Sequence, residues 1–172
     1  MNITLPLTKE KVQQLKVGQL VYLTGSVLTG RDAAHKRLVE ALENNKPLPI
    51  ELKNQTIYYV GPCPAPDDHV IGAAGPTTSA RMDKFTPPLL KQGLVAMIGK
   101  GPRSKEIENA VKETGSVYFI ACGGAGALLA RKIVDIEVLA YQDLGTESIK
   151  RLQVKDFPVV VAIDSRGDSL FA

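Results

Sequence analysis

The chain reads as short apolar runs separated by polar stretches that close on glycine or proline, and two periodicities divide them. "LVYLTGSVLTG" (20–30) is rich in β-branched and aromatic residues and is interrupted at Gly25, which predicts a strand, a bend and a second strand. "RDAAHKRLVEALENNK" sets Ala34, Leu38, Ala41 and Leu42 at helical spacing on one apolar stripe. Upstream, "LTKEKVQQLKVGQ" predicts a short helical segment that starts near Thr8, an N-cap residue type, and stops at Gly18. After two prolines, a strand is expected through Ile57–Val60. "GLVAMIGKG" (93–101) is a nearly continuous apolar run closed by glycines, the pattern of a strand buried on both faces. "SKEIENAVKETG" opens on Ser104 and ends at Gly115, a helix with both boundaries marked. "SVYFIACGG" predicts another buried strand and "AGALLARKI" a short helix. Strands are expected around Val138, Leu152 and Val159–Ile163, the last two separated by a Lys-Asp-Phe-Pro turn.

Strand–helix–strand order from about residue 94 to 140 predicts a parallel sheet there, while the hairpin-like ends make the sheet mixed. The reading is one α/β domain over residues 1–172, with two layers of strand and a few short helices. Composition supports an ordered chain: 44% apolar and 23% charged residues lie near globular averages. The net charge, 21 − 18 = +3, comes from scattered cations rather than a dense basic stripe, which argues against a nucleic-acid partner. A small dianion, by contrast, needs only two or three cations brought together. The N-terminal stretch lacks the pattern of a signal peptide, and no apolar run approaches the roughly 18 residues of a membrane span. A cytoplasmic protein without membrane contact is expected. Cys63 and Cys122 are the only cysteines. Two cysteines and two histidines argue against a self-contained zinc site, and against an iron–sulfur cluster held by this chain alone, since clusters take three or four thiolates.

In open α/β sheets, ligands gather at the C-terminal ends of strands. Four stretches have that context, each with cations or hydroxyls beside glycine: "LTGRD" (28–32), "GPTTSAR" (75–81), "GKGPRS" (99–104) and "CGGAGA" (122–127). Arg31 stands at a strand-to-helix switch, and its planar fork suits a carboxylate; it also has an ordinary reading as a partner of Asp32. Arg81 follows Thr77 by four residues, so on a helical turn both would face one side, although a plain surface arginine fits as well. Lys100 lies between two glycines that let a ligand approach the backbone, or it is a solvated turn lysine. Arg103 and Ser104 suit a helix N-terminal region open to an anion, but "GKGPRS" lacks the spacing of a phosphate-binding P-loop. Thr77 and Thr78 offer hydroxyls to a carboxylate or cap the next helix. His35 reads as a helix-surface or packing residue. Cys122 reads as an apolar strand-end thiol, and "CGGAGA" misses the dinucleotide pattern G-x-G-x-x-G.

Taken together, "YLTGSVLTGRDAAHKRL", "GPTTSARMDKF", "GKGPRS", "ACGGAGALLA" and "LGTESIKRLQVKDFPVVVAID" resemble the β subunit of class I, iron–sulfur fumarate hydratases, which in larger relatives forms the C-terminal domain of one chain. The resemblance runs from about residue 6 onward. It implies a swivelling β/β/α domain that works with a separate α subunit, in an α2β2-type complex. That α subunit would hold a [4Fe–4S] cluster through three cysteines, and the reaction would be hydration of fumarate to (S)-malate. On the family's substrate-contacting positions fall Arg31, Thr77, Arg81 and Lys100, with Thr77 as the proton-transferring hydroxyl. "GKGPRS" departs from many relatives in having Pro102 where they have Asn. L-tartrate dehydratase β subunits share "GPTTS-x-RM" and "GKG", whereas "TGRDAAHKR" and the Arg-Ser of "GKGPRS" lean toward fumarase. A non-catalytic dicarboxylate-binding domain is the remaining alternative.

Overall fold

The structure, a computed structural model, describes residues 1–121 and 125–172. Its strands are β1 (Asn2–Thr4), β2 (Leu20–Thr29), β3 (Thr56–Tyr58), β4 (Ala96–Gly99), β5 (Val117–Ile120), β6 (Ile133–Ala140) and β7 (Ile149–Ile163). Five short helices accompany them: α1 (Lys9–Gln13), α2 (Asp32–Glu43), α3 (Thr86–Lys91), α4 (Lys105–Thr114) and α5 (Gly126–Ala130). Two 3₁₀ segments, Ser79–Phe85 and Gln142–Glu147, complete the set. None of these helices is long and apolar enough to cross a membrane.

Strands β1 through β5 pair in parallel, in the order β1-β2-β3-β4-β5. β7 runs antiparallel to β5, β6 and β2 at once. The pairings β2–β3–β4–β5–β7 therefore return to β2, so the mixed sheet closes on itself, and β1 and β6 share the outer edges. Closure makes two apolar layers from one set of strands. Tyr58, Ile98 and Phe119 point into the cluster enclosed by the ring. Their neighbours Ile57, Met97 and Tyr118 point into the cluster covered by α2, α3 and α4. That alternation explains why β3, β4 and β5 read as continuous apolar runs: both faces are buried.

Two expectations about β2 and β7 need correction. β2 is one strand through Gly25, not two; Gly25 has φ +135°, and a Cβ there would lie 2.8 Å from Leu5 Cβ, so the glycine makes room for a neighbour. β7 is likewise one 15-residue strand. The Lys-Asp-Phe-Pro stretch is a β-bulge, with Leu23 opposite Phe157 but Gly25 opposite Val154. Asp156 takes φ +51° there, and its N–H donates to Thr24 Oγ1 at 3.0 Å. The extra residue keeps Leu152 and Val154 on the same inner face as Phe157, Val159 and Val161. Pro158 is tolerated because Tyr22, opposite it, turns its own N–H toward Met1 on the far side. The missing N–H of Pro158 thus points away from β2, to a side where neither β5 nor β6 pairs this part of β7.

Helix α4 follows its sequence signals closely. Ser104 Oγ accepts from Ile107 N–H, and Gly115 closes α4 in the left-handed conformation, φ +66°. Thr8 caps α1, which ends at Gln13 rather than running to Gly18.

Candidate functional site

Because β2 to β5 are parallel, their C-terminal ends share one edge, and the turns that follow carry the chemistry. Arg31 is the residue before α2, extended at φ −119°. Its side chain runs across Gly61, where a Cβ would sit 2.9 Å from Arg31 Cδ and 3.1 Å from Nη1, so glycine there leaves the arginine its path. Arg31 Nε is buried and has no partner among the described residues. Asp32 does not pair with it. Instead Asp32 Oδ2 accepts from Arg81 Nε at 3.1 Å and lies 3.0 Å from Arg81 Nη2, while Oδ1 is buried without a partner among the described residues. This ion pair joins the start of α2 to the 3₁₀ segment Ser79–Phe85 and brings Arg81 beside the Arg31 turn.

Thr77 and Arg81 do not lie on one helical turn, as their spacing predicts. Thr77 precedes the 3₁₀ segment, and its N–H donates to the Tyr59 carbonyl at 2.7 Å. Thr78 takes the N-cap position of that segment without a side-chain cap bond. Next to it, Thr78 and Lys100 form an isolated parallel bridge. Ser79 N–H donates to the Lys100 carbonyl at 3.0 Å, and Lys100 N–H donates to Ser79 Oγ at 3.1 Å. The Lys100 side chain is exposed and its ammonium group has no partner among the described residues. Backbone contacts and one ion pair thus bring Arg31, Thr77, Arg81 and Lys100 to one open edge. Among the described residues, five clefts lie elsewhere and take no wall from these four.

Two residues lie behind that edge: for His35 the packing reading holds, and for Arg103 the anion reading does not. His35 is buried, with Nδ1 2.8 Å from the Arg31 carbonyl and its ring edge-on to Tyr59 at 5.4 Å. A carbonyl only accepts, so Nδ1 carries the proton; Nε2 is buried with no partner among the described residues. Burial lowers the His35 pKa to about 4, Arg103 adds to that, and the Arg31 carbonyl and Asp32 act the other way. His35 is therefore neutral, and its place is signalled by its spacing from Leu38 and Leu42 on the apolar stripe. Arg103 is not open to an anion. Its side chain is fully buried, and Nε donates to Asp83 Oδ1 at 2.5 Å. Burial opposes the Arg103 charge, but Tyr59, Asp83 and Tyr118 outweigh it and raise the pKa above the ordinary arginine value. No local signal ties Arg103 to Asp83, which lies 20 residues away.

Cys122, with Gly123 and Gly124, lies outside the described residues. Cys63 is an exposed free thiol. No group of three His, Cys, Asp or Glu side chains that could hold a metal ion occurs among the described residues.

The chain is similar to known proteins along its length. The family model described as "Fumarase C-terminus" matches residues 1–172. A Methanocaldococcus jannaschii protein provisionally named the beta subunit of L(+)-tartrate dehydratase is 40% identical over 171 residues, which cover 96% of this chain and 88% of that protein. The aerobic class I fumarate hydratase of Escherichia coli K12 is 37% identical over 163 residues, 94% of this chain and 30% of that enzyme. The mitochondrial fumarate hydratase 1 of Leishmania major is 36% identical over 173 residues, 99% of this chain and 32% of that enzyme. The chain thus spans about a third of the two fumarate hydratases and nearly all of the archaeal protein. With the whole length matched, the chain belongs to the fumarase C-terminus family.

Proposed function

We propose that this chain is the β-type subunit of an iron–sulfur hydro-lyase, with residues 1–172 acting as one domain that grips a four-carbon dicarboxylate for hydration of fumarate to (S)-malate. The observation that carries this reading is the cluster of incompletely paired cations at the open strand edge. Arg31 has no carboxylate partner among the described residues, Lys100 is exposed, and Arg81 gives only Nε and Nη2 to Asp32. Arg31 and Lys100 hold the two carboxylates by charge-assisted hydrogen bonds, and Arg81 presents Nη1 from a guanidinium that Asp32 has already oriented. Thr77 offers its hydroxyl for proton transfer. A hydroxyl is a poor acid or base without a charged neighbour, so a carboxylate from a second chain belongs beside it.

A cluster with one open iron needs three thiolates, and this chain has two cysteines, one of them an exposed loop thiol. Its residues do not fit a [4Fe–4S] cluster of their own. The reading assigns the cluster to a cysteine-bearing α subunit, in an α2β2-type assembly that closes over the open edge.

A second reading, the β subunit of L(+)-tartrate dehydratase, is favoured by the match along 88% of the archaeal protein. One experiment separates the two. The chain is co-expressed with a cysteine-bearing partner encoded beside it, reconstituted anaerobically with iron and sulfide, and assayed with fumarate and L(+)-tartrate. Fumarate turnover by the complex and none by the isolated chain is the expected result. A higher kcat/KM on tartrate moves the assignment to the second reading. Hydration of fumarate by the isolated, metal-free chain would overturn the subunit model.

A further inference from the structure

Arg103 is a buried ion held by partners on several elements, and it stands behind the cations rather than among them. Its Nε donates to Asp83 Oδ1, its Nη2 donates to Thr86 Oγ1 at 3.0 Å, and its Nη1 lies 3.6 Å from Met97 Sδ. The guanidinium carbon sits over the rings of Tyr59 and Tyr118, 5.3 and 4.8 Å from their centroids. Asp83 uses its second oxygen, Oδ2, to accept from Ser104 N–H at 2.8 Å. Asp83 belongs to the 3₁₀ segment that carries Arg81; Arg103 and Ser104 belong to the loop that carries Lys100.

A second set of bonds joins the same two segments. The Tyr118 hydroxyl lies 2.8 Å from the Gly101 carbonyl and 2.7 Å from Ser79 Oγ. With one proton to give, it serves the carbonyl, and the Ser79 hydroxyl donates to it while accepting from Lys100 N–H. Gly99 is required at this point, since a Cβ would collide with the Ser79 hydroxyl and lie 2.8 Å from Tyr59 Cδ2. A buried ion pair is a weak source of stability, because desolvation offsets most of its Coulomb attraction. What a planar arginine with fixed partners does supply is register between the elements it joins.

We propose that Arg103 is a positioning residue: through Asp83 it locks the Arg81 segment to the Lys100 loop and so sets the spacing of the two cations that meet substrate. This rests on the substrate-grip reading above. The test uses the reconstituted complex of this chain and its partner. Arg103→Lys keeps the charge but not the fork, and it is expected to raise the dicarboxylate KM more than it lowers kcat. The loss in kcat/KM is roughly 10- to 100-fold, the scale of an ångström misplacement. In an Arg81→Ala/Lys100→Ala background the same substitution should cost less than about threefold, because the groups it positions are gone. Wild-type kcat/KM in a folded Arg103→Lys complex, or an undiminished loss in that background, overturns the proposal. Should Arg103→Lys fail to fold, Asp83→Asn breaks the same ion pair and is read against the same two backgrounds. Failure of the underlying reading is visible separately, as unchanged kcat/KM in Arg81→Ala and Lys100→Ala themselves.

Discussion

Asp32 gives one oxygen to two nitrogens of Arg81, and that choice decides which positive charges remain available at the strand edge. An arginine paired at a half-exposed surface contributes about 0–1 kcal/mol to stability, so Arg81 can be removed without loss of the fold. Under the proposed function, its contact with a substrate carboxylate would be worth more. Arg31→Ala and Arg81→Ala are each expected to lower kcat/KM of the complex by roughly 10- to 150-fold, the equivalent of about 1.5–3 kcal/mol for one charge-assisted bond. Circular dichroism should be unchanged in both. Unaltered kcat/KM in both variants would remove the carboxylate grip. In the sequence Arg31 and Lys100 stand out because cations beside glycine at strand ends are a local pattern, and Arg81 joins them through its spacing from Thr77 and the family resemblance. The sequence does not expose Arg103 as a buried residue, because its burial depends on Tyr59, Asp83 and Tyr118, none of them a sequence neighbour. Residue type says that an arginine is charged; only the fold says which way it points.

At the scale of elements, α4 is the clearest case of a structure written into its own boundaries. Ser104 has two separable roles: its hydroxyl caps Ile107 N–H at 3.4 Å, and its backbone N–H serves Asp83. Ser104→Ala removes only the first, and because that cap bond is long the expected cost is about 0.5–1 kcal/mol, at the lower end for N-caps. Gly115→Ala forces a Cβ into the left-handed region and is expected to cost about 1–2 kcal/mol, although nothing lies within 4 Å of the new methyl. Urea unfolding at one pH measures both; a neutral Gly115→Ala would contradict the left-handed cap. The limits of α4 are legible because caps are local chemistry, whereas α1 stops at Gln13, short of the glycine that marks its end in the sequence. The bulge in β7 is not legible. A Lys-Asp-Phe-Pro stretch has the composition of a turn, and it stays in the strand because β2 supplies Thr24 Oγ1 to the Asp156 N–H and leaves the Pro158 side open.

The closed sheet is a property of the whole molecule, since it depends on β2 meeting β7 across more than a hundred residues of chain. Periodicity shows that strands are buried on both faces; it does not show that the second face is the inside of a ring. His35 lies outside the ring, in the helix-covered layer under the strand edge, where α2 presses it against Tyr59 and Phe85. Its folded pKa of about 4 against an ordinary 6.5 makes the stability of the entire chain depend on pH. Above pH 6.5 the imidazole is neutral in both states and its contribution is fully present. As pH falls from 6.5 toward 4, the unfolded chain binds a proton that the folded chain excludes, so stability falls by up to about 1.4 kcal/mol per pH unit. The total reaches roughly 3 kcal/mol below pH 4. Arg103 strengthens this effect and Asp32 opposes it, so both must be held constant. His35→Gln does that while removing the titration. Unfolding free energies of the two proteins between pH 7 and 4.5 should converge as the pH falls, with the wild type losing its lead. A difference that stays constant over that range would mean that His35 does not titrate on unfolding, and that the layer beneath Arg31 is open to water.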